Sequence, residues 1–413
     1  MKIWVKLLIS IIIGGIAGVF FPEKMTNIKK FFDFASTISV SLLLYLTVPY
    51  VIVKMYTGII SMKNTKVKIW KITLVFIFTV MTSLVISIIL SMFVMNVSML
   101  QPDKGFELFQ STAIKLESYQ ISDLLRNMIS RNPFSYLVSP LKFLLPIIFM
   151  AVVFAYGTIT TGKKGGHFFD SIKSFGDILD TIVIQIVEIF SLLAVFIVAS
   201  SISELKNTIT AGSLFRPIVS IVVVIILLFI LLSIMLKFIF KEDHFHYYTG
   251  LLGAGLTGFI TGNTSATIIP LNLHLKNNIN IDDDTTDYLV PIGVLLNQTG
   301  TVIVSTIVLM SIIISLAPST LTLKLQVLIF LFVLLFSFRL DGVTELGFIV
   351  LLAMILKEPV FNFEDNSYLL FIGVAPLFSR VAIFINTITT GLYIMITGKY
   401  MGGQQKIEYR DFI

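Results

Sequence analysis

Long uninterrupted apolar segments constrain this chain more than any other feature. About 20 mostly apolar residues suffice to cross the hydrocarbon core of a bilayer. Of the 413 residues, 56% are hydrophobic and 13% are charged, whereas about 25% are charged in an ordinary globular protein. The chain is therefore predicted to be an all-α polytopic membrane protein whose solvent is the lipid bilayer. Six segments look like ordinary spanning helices: Ile3–Phe21, Phe34–Ile60, Val67–Val97, Pro140–Ile159, Ile178–Ser201 and Phe215–Phe240.

Composition also excludes several classes of function. The chain has no cysteine, which removes disulfides, zinc–thiolate sites and thiol nucleophiles. It has no basic stretch with interleaved aromatic residues, so we expect no nucleic-acid partner. It shows no phosphate-binding Walker loop, nucleophile elbow or metal-ligand pattern. We therefore expect neither an ATP-driven pump nor an enzyme, and no cofactor other than Na⁺ or H⁺ as a coupling ion.

Basic residues predict the orientation. Lys2 and Lys6 lie at the start of the first span, four lysines lie between 63 and 71, and Lys163 and Lys164 follow the fourth span. If the spans alternate, all of these fall on one side, and an excess of lysine marks the cytoplasmic side. We predict a multi-pass protein with cytoplasmic N- and C-termini. The many Lys, Asn and Ile residues are typical of an AT-rich bacterial genome, which would place the protein in a bacterial inner membrane.

The second half departs from simple spanning helices. Four apolar segments are interrupted by polar or helix-breaking residues: Tyr247–His274, Tyr288–Leu316, Leu325–Leu356 and Tyr368–Ile396. Pro270 is expected to break the first of them. Unwound backbone at membrane depth must be buried in protein or line a wet cavity, and paired interruptions indicate a transport site. The order of a broken segment followed by a polar helix occurs twice, which we interpret as inverted repeats.

Three of the interruptions are short motifs. Thr261-Gly262-Asn263-Thr264-Ser265-Ala266-Thr267 offers hydroxyls and backbone N–H groups to an anion, or equally serves as a small-residue packing contact. Asn297-Gln298-Thr299-Gly300-Thr301 suits a hard cation such as Na⁺, or is a kink satisfied by neighbouring helices. Arg339-Leu340-Asp341-Gly342-Val343-Thr344-Glu345 places three charges in an apolar hairpin, where charges are usually functional unless they lie at the interface.

The last apolar segment carries a fourth group. Asn386 and Thr390 are four residues apart and share a helix face, whereas Arg380 points about 120° away from that face. The Arg380 guanidinium can bind a carboxylate bidentately, or form a bridge with Glu345 or Asp341.

Three other polar features are interpreted as structural. Glu188 in the fifth span is expected to be a packing or interface acid, and His274 is expected at the cytoplasmic mouth. The acidic run Asp282-Asp283-Asp284 with Asp287 does not match a calcium loop, so we interpret it as a solvated loop.

Taken in order, these motifs resemble the dicarboxylate/amino acid:cation symporter family, which has the glutamate-transporter fold, over nearly the whole chain. Thr264-Ser265-Ala266-Thr267 with Pro270 looks like the serine-rich tip of the family's first re-entrant hairpin. Asn297-Gln298-Thr299-Gly300-Thr301 is similar to the Asn-Met-Asp-Gly-Thr centre of its seventh helix. Gly342-Val343-Thr344-Glu345-Leu346-Gly347 looks like the tip of its second hairpin. Asn132-Pro133-Phe134 and Thr82-Ser83 also match.

The resemblance implies eight transmembrane helices, two re-entrant helical hairpins built as inverted repeats, and a homotrimer with an elevator mechanism. A single transporter domain would occupy residues 1–413. Residues 1–240 would hold six helices, some of them the trimerisation scaffold, and residues 245–400 would hold hairpin 1, helix 7, hairpin 2 and helix 8 as the transport core. The implied activity is symport of an acidic amino acid such as glutamate, a neutral amino acid or a C4-dicarboxylate, driven by Na⁺ or H⁺.

The family's binding residues carry over to named positions. The implied substrate contacts are Thr264, Ser265, Thr301, Gly342, Val343 and Thr344, and we add Arg380 and Asn386. The implied cation contacts are Gly293, Asn297, Asn386 and Thr390, with Thr82 and Ser83 near another cation.

The family's carboxylates are replaced in this chain. The seventh-helix aspartate is Thr299, and the eighth-helix aspartate falls at Thr390 if Asn386 is aligned with the family asparagine. The family arginine then falls at Ala382, and the acid that usually holds a substrate amino group has no counterpart near Phe378. Hard cations are held largely by anionic oxygen, so the sequence predicts weakened Na⁺ binding.

These replacements lead to a hypothesis about the remaining charges. Arg380, with Arg339, would bind substrate carboxylates, and Glu345 or Asp341 would carry a proton. We therefore expect a secondary active transporter for a small anionic organic solute. Two other classes stay open: a passive channel, and a divergent paralogue that does not transport. The lost carboxylates favour the paralogue, and the retained hairpins count against it.

Overall fold

The computed structural model describes residues 2–20, 26–63, 68–97, 144–206, 215–240, 245–316, 322–337, 352, 355, 374–399 and 411–413. Every regular element in these ranges is helical, and seven helical stretches among them are long and apolar enough to cross a membrane. The prediction of an all-α polytopic membrane protein is confirmed. The first six helices described are α1 (Ile3–Phe20), α2 (Thr26–Met62), α3 (Ile69–Val97), α4 (Leu145–Thr161), α5 (Lys163–Lys206) and α6 (Phe215–Phe240).

Helices α2 and α5 are much longer than their apolar segments. The structure begins α2 at Thr26 and α5 at Lys163, well before the predicted starts at Phe34 and Ile178. With 37 and 44 residues they extend over about 55 and 66 Å, about twice the hydrocarbon thickness of a bilayer. The hydropathy pattern marks only the part of a helix that faces lipid, so the polar extensions were not predicted.

Helix α1 packs closely along α5. A Cβ atom at Gly14 would lie 2.6 Å from the carbonyl oxygen of Val195, so glycine is needed for this close approach. At one end of the same contact, Lys6 Nζ lies 3.1 Å from Oε1 of Glu188, whose side chain is 56% exposed. Glu188 is thus an acid of the α1–α5 packing contact, as the sequence predicted.

The described part of the second half consists of shorter helices: α7 (Phe245–Thr261), α8 (Ile268–Asn277), α9 (Asp283–Leu296), α10 (Thr299–Leu316), α11 (Leu323–Ser337) and α12 (Ala375–Lys399). Helices α7 and α8, of about 26 and 15 Å, are each shorter than the hydrocarbon core of about 30 Å. The Nδ2 of Asn278 donates to the carbonyl oxygen of Gly250 at 2.9 Å, which fastens the end of α8 to the first turns of α7. The two helices therefore form a hairpin.

The hairpin turns several residues before Pro270. Helix α7 ends at Thr261, Gly262 has a φ of +60°, and a 3-10 turn at Ser265–Thr267 leads into α8. Pro270 is the third residue of α8, where its missing N–H has no intrahelical partner to lose. The prediction that Pro270 breaks the segment was wrong because proline is tolerated in the first turn of a helix.

The second predicted interruption is confirmed. Helix α9 ends at Leu296, Asn297 has an extended backbone, and α10 begins at Thr299. Helix α12 packs against α7, α9 and α10 and is buried over most of its length, so it forms the centre of this half. Both interruptions, in α7–α8 and in α9–α10, therefore meet α12.

Candidate substrate and coupling site

The tip of the α7–α8 hairpin is ordered by its own side chains. Asn263 Oδ1 accepts hydrogen bonds from the backbone N–H groups of Ser265 at 2.9 Å and Ala266 at 3.3 Å. The hydroxyl of Thr267 donates to the carbonyl oxygen of Thr264 at 2.7 Å. The asparagine oxygen thus satisfies the first N–H groups of the 3-10 turn that leads into α8, so the helix begins at a defined position.

Ser265 carries an unused hydrogen-bonding group at this tip. Its side chain is fully buried, and its hydroxyl has no hydrogen-bond partner among the described residues. Thr264, beside it, is half-buried. An unsatisfied buried hydroxyl costs about 1–3 kcal/mol, and here it lies at the start of a helix, where anions are favoured. The two residues predicted to contact substrate thus form a polar, donor-rich tip.

Asn297 joins the α9–α10 interruption to α12. Its Nδ2 donates to the hydroxyl oxygens of Thr389 at 2.8 Å and Thr390 at 2.9 Å, and to the carbonyl oxygen of Asn386 at 3.0 Å. Its Oδ1 accepts from the hydroxyl of Thr299 at 2.6 Å. All four of these side chains are buried. The break in α9–α10 is therefore a kink that α12 satisfies with its side chains.

The side chain of Asn386, on α12, binds the first residues of α10. Its Oδ1 accepts from the backbone N–H of Gly300 at 2.6 Å, and its Nδ2 donates to the hydroxyl oxygen of Thr301 at 3.1 Å. Thr301 in turn donates to Oε1 of Gln298 at 2.9 Å and is half-buried. The structure thus brings together four residues that the sequence predicted as cation or substrate contacts: Asn297, Thr301, Asn386 and Thr390.

Of the two residues predicted in α3, only Ser83 reaches this region. Its hydroxyl lies 3.2 Å from that of Thr299 and in close contact with that of Tyr393. Thr82 lies on the outer surface of α3, where its hydroxyl donates to the carbonyl oxygen of Phe78 at 2.8 Å. The structure therefore does not place Thr82 with the other predicted cation contacts.

The buried polar side chains that link α3, α9, α10 and α12 are hereafter called the core network: Ser83, Asn297, Thr299, Thr389, Thr390 and Tyr393. Gly293 packs beside it without a polar side chain, and a Cβ there would lie 2.6 Å from Cγ2 of Thr390. The motif analysis missed Thr389 and Tyr393. Both lie three or four residues from a predicted site residue on α12, so the helix period was the signal that could have found them.

Arg380 lies apart from Asn386, as the helix geometry predicted. Its Nη1 donates to the carbonyl oxygen of Ile260 at 2.8 Å, and the residue is 8% exposed. It lines a cavity of 360 Å³ between α2, α5, the end of α7 and α12. Asp33, on the wall of the same cavity, accepts from the Ser200 hydroxyl at 2.6 Å. Hydroxyl groups provide most of the remaining polar lining: Ser36, Thr37, Ser41, Ser201 and Thr261.

The acidic run at 282–287 is not a solvated loop. Asp282 caps α9 by accepting from the backbone N–H of Thr285 at 3.2 Å, and Asp283 and Asp284 lie in its first turn, where acids are favoured. Asp287 is only 5% exposed, and its Oδ1 lies 2.7 Å from Nζ of Lys276. Asp282 and Asp283 are exposed, but the prediction was wrong for Asp287, which is buried against Lys276 of α8 and Lys54 of α2.

His274, expected at the cytoplasmic mouth, is fully buried. Its Nδ1 lies 2.7 Å from the carbonyl oxygen of Pro270, and its ring packs against Gly253 of α7. It is a packing residue of the hairpin rather than a group open to water.

Several predicted site residues lie outside the described part of the chain. They are the second-hairpin substrate contacts and proton carriers Gly342, Val343, Thr344, Asp341 and Glu345, together with Arg339 and the Asn132-Pro133-Phe134 motif. The predictions about them stay predictions.

Comparison with known proteins gives the family. The chain is 24% identical over 426 residues to a C4-dicarboxylate transport protein of Janthinobacterium sp. (strain Marseille), covering 97% of this chain and 90% of that protein. It is 24% identical over 412 residues to proteins of the same name from Yersinia pestis (strain Pestoides F) and Yersinia pseudotuberculosis serotype O:1b (strain IP 31758), covering 96% of this chain and 92% of each relative. The family model described as sodium:dicarboxylate symporter family matches residues 3–400. Since that match covers nearly the whole chain, the protein belongs to the sodium:dicarboxylate symporter family, whose members are membrane transporters and not enzymes.

Proposed function

We propose that this protein is a secondary active transporter that imports a C4-dicarboxylate. The observation that carries the choice of substrate is the charge of α12, the helix that both interrupted segments contact. Ala375–Lys399 contains arginine and lysine but no aspartate or glutamate. Relatives that span nearly the same length are named C4-dicarboxylate transport proteins.

The absence of an acid in α12 favours a dicarboxylate over an amino acid. A substrate ammonium group taken out of water without an anionic partner is strongly unfavourable. A dicarboxylate needs hydrogen-bond donors and positive charge instead, and this half of the protein offers both. We therefore expect fumarate or succinate to bind more tightly than aspartate or glutamate.

The donors for the two carboxylates come from different elements. Thr264, Ser265 and the first N–H groups of α8 would bind one carboxylate at the hairpin tip. Thr301 would contact the solute from α10. Arg380 would attract or hold the second carboxylate from the neighbouring cavity, with the backbone of Gly342–Thr344 completing the contacts.

Proton coupling is the form of symport that the remaining charges support. Glu345 or Asp341 would carry the proton. The two aspartates that the family has in its seventh and eighth helices are replaced here by Thr299 in α10 and Thr390 in α12. Homotrimer assembly, an elevator movement of the 245–400 core and cytoplasmic termini complete the proposal, as the family resemblance implies.

Uptake into proteoliposomes tests the function. Radiolabelled fumarate, succinate, aspartate and glutamate would be offered under an imposed H⁺ gradient, an imposed Na⁺ gradient or neither, with protein-free liposomes as the control. We expect fumarate and succinate to accumulate above equilibrium under the H⁺ gradient. Equilibration without accumulation would indicate a passive conductance. No uptake by folded protein would indicate a paralogue that does not transport.

A further inference from the structure

Tyr393 occupies the centre of the core network. Its ring is fully buried in α12, and its hydroxyl is in close contact with that of Ser83 on α3. The Ser83 hydroxyl lies in turn 3.2 Å from that of Thr299. Tyr393, Ser83 and Thr299 thus connect α12, α3 and α10 beside residues that the family resemblance implies as cation contacts, Ser83 and Thr390 among them.

The oxygen atoms around this point do not fit a Na⁺ ion. Hard cations are held by several oxygen ligands, with carboxylates prominent among them. Every side chain of the core network is neutral, including Thr299 and Thr390, which stand where the family has aspartates. A buried cation surrounded only by neutral groups keeps most of its desolvation penalty, so the ion would be poorly held.

The polar atoms of the network also satisfy one another. The Thr299 hydroxyl at 2.6 Å and the Thr299 backbone N–H at 3.4 Å both point at Oδ1 of Asn297, which fixes the orientation of its amide. Nδ2 of Asn297 therefore faces the Thr389 and Thr390 hydroxyl oxygens. Those hydroxyls donate onward to the carbonyl oxygens of Ile385 at 2.7 Å and Asn386 at 2.6 Å. The Asn297 amide nitrogen thus already occupies the lone pairs of these oxygens, which are not open to an ion.

Little room is left for an ion beside the phenol ring. Tyr393 is among the largest fully buried side chains of the described residues. Gly293 of α9 is packed so closely that an added Cβ would lie 2.6 Å from Thr390 Cγ2 and 2.9 Å from Cζ of Phe76. Side chains of α3 and α12 thus already fill the space beside Gly293, and the Tyr393 ring is itself enclosed by protein.

We propose that Tyr393 replaces the coupling cation in the core network, so that this site binds no Na⁺ and the transporter operates without Na⁺ there. The phenol hydroxyl gives the Ser83 hydroxyl, which also lies 3.2 Å from that of Thr299, the contact that a bound ion would otherwise provide. The consequence for transport rests on the proposed function, whereas the consequence for ion binding does not. Tyr393 is thus a specificity-determining residue for the coupling ion.

Thermal unfolding of the purified, detergent-solubilised protein tests the binding directly. NaCl and choline chloride would be titrated at equal ionic strength, with no solute present. We expect the two salts to give the same Tm at every concentration. A Na⁺-specific, saturable rise in Tm that Ser83→Ala abolishes would overturn the proposal. A Na⁺-specific rise that Ser83→Ala and Thr299→Val leave unchanged would place the ion at another site and support it.

A gain of Na⁺ binding provides the second test. Tyr393→Ser combined with Thr299→Asp opens the volume and supplies a carboxylate. We expect a Na⁺-specific rise in Tm of about 2 °C or more. The matched control, Tyr393→Ser with Thr299→Asn, has the same volume without the charge and should not respond. A folded Asp variant that also fails to respond would count against Tyr393 as the replacing residue. If that variant does not fold, the titration of the wild-type protein decides.

The transport consequence is measured separately. Fumarate uptake that is equal in Na⁺ and choline media would support both proposals. If the protein moves no dicarboxylate, the proposed function fails, while the Tm titration still decides whether the core network holds Na⁺.

Discussion

Nζ of Lys54 on α2 lies 3.9 Å from Oδ2 of Asp287 on α9, and the two side chains are only 6% and 7% exposed. This ion pair joins the N-terminal helices to the second half of the chain. Each partner also has an oppositely charged neighbour on its own side. Lys54 is in close contact with Asp180 of α5, and Lys276 of α8 lies 2.7 Å from Asp287.

The four charges therefore form two neutral pairs, one in each half of the protein. If the C-terminal core moves against α2 and α5 during transport, the 3.9 Å contact between Lys54 and Asp287 is the one contact among these four charges that has to break. Each charge keeps a partner, so the movement does not leave an uncompensated buried charge, which is the expensive outcome. The contact between Lys54 and Asp287 therefore stabilises the described conformation, and it can break when the core moves.

Removing the shared lysine should destabilise the protein. We expect Lys54→Met to lower the free energy of unfolding by about 2–3 kcal/mol, a little less than for a fully buried pair, because Asp180 is 31% exposed and reaches water. Lys6→Met is the matched control, since its partner Glu188 is 56% exposed, and a change of about 0–1 kcal/mol is expected. Thermal or denaturant unfolding in detergent measures both. Equal effects of the two substitutions would contradict the structural role of Lys54.

The sequence predicted the interruption at Asn297–Thr301 correctly but not the environment of Asp287. Polar residues inside an apolar run are a local signal, so their effect on a helix can be predicted locally. Asp287 is buried against Lys276 and also against Lys54, which is more than 200 residues away in the chain. The signal available was Lys54 itself, a lysine inside an apolar span, which is rarely left unpaired.

The choice between Thr82 and Ser83 could not be made from the sequence. Adjacent helical residues point about 100° apart, so only one of them can face the core network. Helix α3 is apolar on most of its circumference, and its pattern gives no preferred buried face. Packing of α3 against α10 and α12 determines which of the two residues faces the core network, and it places Ser83 there. Tertiary contacts, rather than local pattern, set the composition of the site.

Loss of the unpaired hydroxyl at the hairpin tip should weaken solute binding. If Ser265 donates to a substrate carboxylate, Ser265→Ala removes a hydrogen bond to a charged group, worth about 1.5–3 kcal/mol. We expect KM for fumarate to rise about tenfold or more, with Tm unchanged or slightly higher. Ser87→Ala is the matched control, because Ser87 is also a fully buried serine whose hydroxyl has no partner among the described residues, but it lies in α3. A similar KM for both variants would show that Ser265 does not contact the solute.

Asn386 should prove essential for the start of α10. Asn386→Leu removes the donor to the half-buried Thr301 hydroxyl and the acceptor for the Gly300 N–H, which stays buried. An unsatisfied buried group costs about 1–3 kcal/mol, so a clear loss of Tm and of uptake is expected. Thr397→Val provides the comparison, since its buried hydroxyl bonds only within α12, to the carbonyl oxygen of Tyr393. If both variants lose the same stability, the bridging role of Asn386 is refuted.

Arg380 offers the sharpest test of how the second carboxylate is recognised. Its guanidinium lines the cavity while Nη1 holds the carbonyl oxygen of Ile260 at 2.8 Å, so the group is both charged and oriented. Arg380→Lys keeps the charge but loses the planar fork, whereas Arg380→Met loses both. We expect KM for fumarate to rise in the order wild type, Arg380→Lys, Arg380→Met, with little change for the exposed Arg216→Met control.

Competition by monocarboxylates such as butyrate gives the decisive comparison. If Arg380 binds the second carboxylate, Arg380→Met should narrow the preference for succinate over butyrate. An unchanged preference would show that the arginine serves only to hold α7 against α12.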